Sequence, residues 1–254
     1  MSEVLLYAVA DGVATLTLNR PEKRNALDAS LVRALKDGLT RAAADPDVRV
    51  VAIAGAGSVY CAGADLAEMA RIAEMSFEEN LEDARSLGAL FAQMRAHPRP
   101  IVALVQGRAL AGGCGLASAC DVVLAAEGVE LGYPEVHLGF VPALVMTILR
   151  RKVGEGVAFD LVARGRNVDA AEAHRIGLVT HVFPAEAFAP EAAAYLADLA
   201  KKPTSALELT KKLLYELDGL PFADGLERAA HVNAEARMTD ACREGVRRFL
   251  ERHG

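Results

Sequence analysis

Two glycine-rich segments hold the backbone that could do chemistry in this chain. They are Cys61–Asp65 (CAGAD) and Ala111–Asp121 (AGGCGLASACD). Each follows an apolar, strand-like run, Arg49–Gly55 and Ile101–Gly107, and each leads into a helix-like stretch. Glycine lets a backbone turn sharply and lets a ligand approach it closely. The first N–H groups of a helix have no partner within it, and the helix dipole makes that end slightly positive. Two such ends aimed at one point would cradle a developing negative oxygen between paired amides. Taken singly, each segment also reads as an ordinary strand-to-helix loop. A third segment, Leu131–Ala143 (LGYPEVHLGFVPA), adds a carboxylate, Glu135. Its apolar neighbours Leu131, Tyr133, Val136, Leu138, Phe140 and Val141 are expected to wall it in. Burial disfavours the charged form of a carboxyl and raises its pKa, which suits a proton shuttle near neutral pH. Cys114 is the remaining reactive group. Near a helix N-terminus a thiol is biased toward thiolate, which would make it a nucleophile for an acyl-enzyme.

These three segments, in order and spacing, resemble the enoyl-CoA hydratase/isomerase (crotonase) family. The resemblance extends over nearly the whole chain. It includes Asn19–Asp28 (NRPEKRNALD), Gly165–Phe183 (GRNVDAAEAHRIGLVTHVF) and Pro203–Leu214 (PTSALELTKKLL). It implies an enzyme of acyl-CoA (fatty acid) metabolism that binds a coenzyme A thioester and stabilises the enolate formed at the thioester carbonyl. By motif position the oxyanion donors would be the amides of Ala64 and Gly112. Coenzyme A would lie along the first glycine loop, touching Ala62, Ala64, Asp65, Leu66 and Ala67. Its phosphates would lie near Arg20, Lys23, Arg24 and Ala26, and Gly115, Tyr133 and Phe140 would line the acyl pocket. No cofactor beyond the substrate's own coenzyme A is implied. Trimers, often paired into hexamers, are implied.

Hydratases of this family carry two glutamates. This chain keeps one as Glu135 and has Gly115 at the position of the other. Adding water across an enoyl thioester needs one group to deprotonate water and one to protonate the α-carbon, work that two carboxylates can divide. Shifting a double bond from β,γ to α,β needs a single base. The resemblance therefore implies an enoyl-CoA hydratase first, with Δ3-Δ2-enoyl-CoA isomerisation through the lone glutamate as the alternative. A Cys114-dependent thioesterase and an inert acyl-CoA binder are the other readings. Gly115 itself reads either as a packing glycine or as a device that enlarges the pocket or admits a water. One of Glu68, Glu74, Glu78 or Glu79 could replace the missing carboxylate, but a charge cluster is usually a solvated face, which is the reading favoured here.

Elements must position these groups. Strands are expected near Leu5–Val9, Val13–Asn19, Val50–Ala54, Ile101–Val105, Val122–Ala125 and Val129–Leu131. A helix is expected over Ala29–Ala44 with Asp28 as N-cap. Another is expected over Phe77–Arg95, with Phe77, Leu81, Ala84, Leu87, Phe91 and Met94 at helical spacing. Alternating strands and helices imply an α/β class, which the family arranges as a spiral of ββα units with a C-terminal helical segment. Residues 1–183 read as the acyl-CoA-binding core, and residues 184–254 as a helical oligomerisation segment with Leu207, Leu209, Leu213, Leu214 and Leu217 as contact candidates.

The chain has 254 residues, 52% hydrophobic and 24% charged, enough for one substantial core. Its net charge of −6 and lack of Trp argue against nucleic-acid binding. Cys61, Cys114, Cys120 and Cys242 form no CxxC pair and show no zinc spacing with histidines, so neither a metal nor a disulfide framework is expected. Neither a signal peptide nor a bilayer-length apolar run is evident, so no membrane partner and a cytoplasmic location are expected.

Overall fold

The computed structural model describes residues 3–253, side chains excepted at 66–69 and 253. The chain opens with a hairpin of β1 (Leu5–Ala10) and β2 (Val13–Leu18), antiparallel across Asp11 and Gly12. Both turn residues have positive φ, 50° and 79°, the twist that a two-residue hairpin demands. Helix α1 (Ala29–Ala44) follows, and the Asp28 carboxylate caps it by accepting from the Leu31 amide at 2.8 Å.

A repeated pattern then builds the spiral. β3 (Val50–Gly55) and β4 (Val59–Cys61) lead into α2 (Leu66–Glu74) and α3 (Phe77–Ala96). β5 (Ile101–Val105) and β6 (Arg108–Leu110) lead into α4 (Gly112–Ala119). β7 (Val122–Ala126) and β8 (Glu130–Gly132) lead through a 3-10 turn at Pro134–Leu138 into α5 (Ala143–Val153). The first strand of each unit joins one sheet, in the order β1-β2-β3-β5-β7-β10, and the second joins another, β4-β6-β8-β9. The chain continues as α6 (Glu155–Arg164), β9 (Asn167–Asp169), α7 (Ala170–Arg175) and β10 (His181–Phe183). It ends as α8 (Phe188–Ala200), α9 (Thr204–Glu216), α10 (Phe222–Met238) and α11 (Asp240–His253). This is an α/β spiral of ββα units with helices at the C-terminal end.

Parallel pairing of β3, β5 and β7 explains their composition. Strands covered on both faces read as unbroken apolar runs, and Val50, Val51, Ala52 and Ile53 are fully buried. The three-residue strands β4, β6, β9 and β10 were not expected from sequence, whereas β8, equally short, was. The apolar stripe expected along α3 is only half buried. Leu90, Phe91 and Met94 enter the core, whereas Phe77 is 75% exposed and Leu81 is also exposed. The N-terminal half of α3 therefore stands off the sheet, stabilised at its start by a reciprocal Ser76–Glu79 capping box.

Strand structure ends at Phe183, but packing continues across residue 184. Phe188, Ala192, Leu196 and Ala200 of α8 are buried in the same core as the sheet. Helix α9 is tied down by one buried charge cluster. Lys211 Nζ donates to Met94 O (2.9 Å) and Arg99 O (3.1 Å) and pairs with Asp121 Oδ2 at 2.8 Å. Asp121 also accepts from Tyr215 Oη (2.6 Å) and from the Ile101 amide (2.7 Å). Leu207, Leu209 and Leu213 of α9 are half-buried, whereas Leu214 and Leu217 are exposed. Beyond α9 the chain is different. Phe222, Leu226, Met238, Val246, Phe249 and Leu250 of α10 and α11 are all exposed.

Removing one partner of a buried ion pair strands the other. Asp121→Ala is expected to lower the free energy of unfolding by about 3 kcal/mol, because Lys211 would keep a buried charge. Urea unfolding followed by circular dichroism measures it, and Thr210→Ala on the exposed face of α9 is the neutral control.

Candidate active site

Asn19–Asp28 forms the platform on which the first glycine loop rests. Asn25 is fully buried with φ 56°, a conformation that Asn tolerates better than most residues. Its Oδ1 accepts from the Arg20 amide (2.9 Å), and its Nδ2 donates to Ala56 O (2.9 Å) and Val59 O (2.7 Å). Arg20 is also buried, and its guanidinium bonds Asp28 (2.8 Å) and Asp65 (2.9 Å). Lys23 reaches the same Asp65 oxygen at 3.2 Å from a half-exposed position. The group expected to meet phosphates thus divides. Arg20 and Asp65 hold two loops together from the inside, Ala26 is buried, and Lys23 and Arg24 are exposed. Asn25 was not singled out as a site residue. Its signal was a lone Asn inside a charged loop, which sequence alone reads as solvated.

The second anchor is backbone to backbone. Ala62 N donates to Arg24 O (3.0 Å), Leu27 N donates to Gly63 O (2.7 Å), and Asp65 N donates to Leu27 O (3.0 Å). The last two form a parallel bridge between Leu27 and Ala64. In that pattern the flanking residues bond the partner, so the amide of Ala64 itself turns away from Leu27. Among the described residues, nothing accepts from the Ala64 amide or from the Gly112 amide.

The two glycine loops touch. A Cβ added to Gly63 (φ 99°) would lie 2.8 Å from Ala111 Cβ and 3.6 Å from Gly112 N. One added to Gly113 would lie 2.3 Å from the Cys61 carbonyl oxygen. Only glycine lets β4 and the first turn of α4 approach this closely. Ala111, the N-cap of α4, has φ 50° and ψ −128°, and no side chain caps the helix. A non-glycine residue there is strained, and the open N-terminus leaves amides without intrahelical partners.

The turn that carries Glu135 follows β8, which is bonded to the start of α4. Ala111 N donates to Gly132 O at 2.8 Å, so the start of α4 and the strand that precedes Glu135 are bonded directly. Glu135 is buried, and burial raises its pKa above the usual carboxylate range. Among the described residues, no group hydrogen-bonds its buried Oε2. The walls expected from sequence are only partly right. Leu131 and Tyr133 are buried, whereas Val136, Leu138, Phe140 and Val141 are exposed. The four exposed residues sit on or just after a short 3-10 turn, where consecutive side chains fan outward. Tyr133 supports the site from behind. Its hydroxyl lies 2.7 Å from Ser118 Oγ, which itself donates to Cys114 O (2.8 Å).

The thiol nucleophile is not supported by its surroundings. Cys114 is fully buried, and burial pushes its thiol up to about 11. Cys61 and Cys120 are likewise buried and held at about 12. Helix-terminus stabilisation loses here to desolvation. The acidic segment after the first loop does not enter the site either. Glu74, Glu78 and Glu79 are exposed, and Glu79 is committed to the cap of α3, accepting from Ser76 N at 2.8 Å. The Glu68 side chain, like those of Leu66 and Ala67, lies outside the described residues. Also among the described residues, no cluster of three or more metal-ligating side chains occurs, and no helix is long and apolar enough to cross a membrane.

Comparison with known proteins gives one consistent result. A sequence model of the enoyl-CoA hydratase/isomerase family matches residues 8–254. A protein of Thermus thermophilus is 45% identical over 240 residues, 94% of this chain and 95% of that one. The 2,3-dehydroadipyl-CoA hydratase of Escherichia coli is 36% identical, covering 99% of this chain and 97% of its own. A solved enoyl-CoA hydratase structure from Mycobacterium smegmatis superposes with a TM-score of 0.94 at 32% identity, over 99% of this chain and 97% of that one.

The cysteine environments yield a direct test. Native protein treated with iodoacetamide at about pH 8, below the raised pKa values of the three buried thiols, is expected to take up one alkyl group, at Cys242. Denatured protein should take up a group at every cysteine. Intact and peptide mass measurement reads both, and rapid native labelling of Cys114 would contradict its burial.

Proposed function

The chain belongs to the enoyl-CoA hydratase/isomerase family, and from that premise we propose that it hydrates an enoyl-CoA thioester through an oxyanion-stabilised enolate, with Glu135 as the only carboxylate in the reaction. What supports this reading is the contact of the two glycine loops that carry the unbonded Ala64 and Gly112 amides, together with a buried, poorly partnered carboxylate on the segment bonded to the start of α4. The amides receive the thioester oxygen as negative charge builds on it. Glu135 takes a proton from water as the water oxygen bonds the β-carbon, and the enolate forms. The same carboxyl then gives that proton to the α-carbon, so that the elements of water are added and the base is restored. Desolvation suits Glu135 to both halves, because a carboxyl with a raised pKa gives and takes a proton with less imbalance.

Isomerisation is the second reading, favoured by Gly115. A lone base removes a proton from the α-carbon of a 3-enoyl thioester and returns it to the γ-carbon, with the same enolate between. In both readings coenzyme A lies against the first glycine loop, with Lys23 and Arg24 as the exposed cations for its phosphates. No further cofactor enters. The exposed apolar residues of α10 and α11 support self-association into trimers or hexamers, since large apolar patches mark partner surfaces. A cytoplasmic location accords with this chemistry.

Glu135→Gln keeps the shape of the side chain and removes its proton transfer. It is expected to lower kcat about 1,000-fold while the Kd for a saturated acyl-CoA stays within about threefold, as for loss of an acid/base group. Retained turnover would place the base elsewhere. The base must be ionised to begin the cycle, so activity falls as pH drops through its pKa. Since burial raises that pKa, the acid limb of kcat/KM is expected above about pH 4.3, the ordinary Glu value. Products formed in heavy water from 2-enoyl- and 3-enoyl-CoA esters separate hydration from the allylic shift. Sedimentation velocity is expected to show trimers or larger species, and Phe249→Asp with Leu250→Asp to dissociate them.

A further inference from the structure

Gly112 and Gly115 are three residues apart on α4, and residues at that spacing share a helix face. A side chain at 115 would therefore project on the face that carries the Gly112 amide. That space is filled. A Cβ built on Gly115 would lie 2.5 Å from Val145 Cγ2, with Phe91 Cζ and Val145 Cβ each at 3.7 Å. Val145 is buried in the first turn of α5, the helix that follows the Glu135 turn. Its β-branched side chain is stiff at χ1 and cannot simply swing aside. Position 115 is thus a packing glycine, and its missing side chain leaves no open room.

We propose that Val145 is the specificity-determining residue of this site: its isopropyl group takes the volume that a side chain at 115 would need, and so fixes both a one-carboxylate chemistry and the depth of the acyl pocket. This rests on the acyl-CoA reading above. A carboxylate at 115 and a valine at 145 exclude one another, and the chain has kept the valine. Phe91 and Leu144, beside Val145, also line a cleft that runs on between α3, α5 and α9 toward Arg95 and Tyr215. Val145, next to Leu144 on α5, packs onto α4 at Gly115 beside that cleft. Trimming it lengthens the space available to an acyl chain.

The test is an exchange of volume between the two positions. Gly115→Ala alone inserts the clashing carbon without charge and is expected to lower Tm by about 5 °C, as overpacking does in a domain of this size. In the Val145→Ala background the same substitution is expected to cost less than about 2 °C, because the space is then free. Gly115→Glu alone is expected to lose hydration of crotonyl-CoA about tenfold or more. Gly115→Glu with Val145→Ala is expected to recover it and to raise hydration relative to isomerisation about tenfold. Val145→Ala alone is expected to raise kcat/KM for 2-octenoyl-CoA relative to crotonyl-CoA about tenfold, the scale on which pockets discriminate methylenes. A merely structural role for Val145 would lower stability without moving that ratio. Gly115→Ala equally costly in both backgrounds, or an unchanged chain-length ratio, would overturn the proposal. Wild-type protein inert toward both esters would sink the acyl-CoA reading and this proposal with it. A flat thermal comparison in an active wild type would sink this proposal alone.

Discussion

The close approach of α4 to β4 is the contact on which the rest of the site depends. The Gly113 backbone sits against the Cys61 carbonyl at a separation that leaves no room for a Cβ. That contact brings a helix start within reach of a loop from another ββα unit. The Leu27–Ala64 bridge then fixes which way the loop's amides point. Each amide alone is an ordinary unsatisfied donor of a turn or helix end. In the function proposed above, two of them held together would form a preorganised positive spot that does not have to reorient when charge develops.

Holding such a site costs stability locally, and the surroundings offset it. Ala111 is kept in a strained backbone conformation, α4 starts without a side-chain cap, and Glu135 is buried with one oxygen unpartnered. Such costs persist only where neighbours over-determine the geometry. The neighbours here are the Arg20–Asp28–Asp65 cluster under the first loop, the Asn25 crosslinks to Ala56 and Val59, and the Tyr133–Ser118–Cys114 chain behind α4. At the other end of α4, Asp121 binds Lys211 and Tyr215 of α9. Helix α4 is therefore clamped near its C-terminus and left without a side-chain cap at its N-terminus.

What sequence revealed and what it hid follow physical lines. The hairpin at Asp11–Gly12, the Asp28 cap, the long buried strands and the convergence of the glycine segments are local or strongly patterned, and they were legible. Arg20 looked like a surface cation for phosphates, because sequence shows a charge but not the two carboxylates that fold around it. Phe140 and Val141 looked like pocket walls, because apolar type does not say which way a residue in the loop after a 3-10 turn faces. From sequence, Cys114 as a thiol activated by a helix start is only a minor alternative, and the desolvation that decides against it depends on packing from distant parts of the chain. For Arg20 and Cys114 the missing information lies in contacts between residues far apart in sequence.

Gly115 shows the same limit most sharply. An absent side chain reads from sequence as either space or contact, and the two have opposite consequences for chemistry. The deciding residue, Val145, lies thirty positions away on another helix, and its isopropyl group makes the absence a contact. Gain or loss of a carboxylate at 115 is then a two-residue event, since either change alone leaves a clash or a cavity. A substitution read by itself at such a position misstates what the site can do, because the unit that sets its chemistry is the pair.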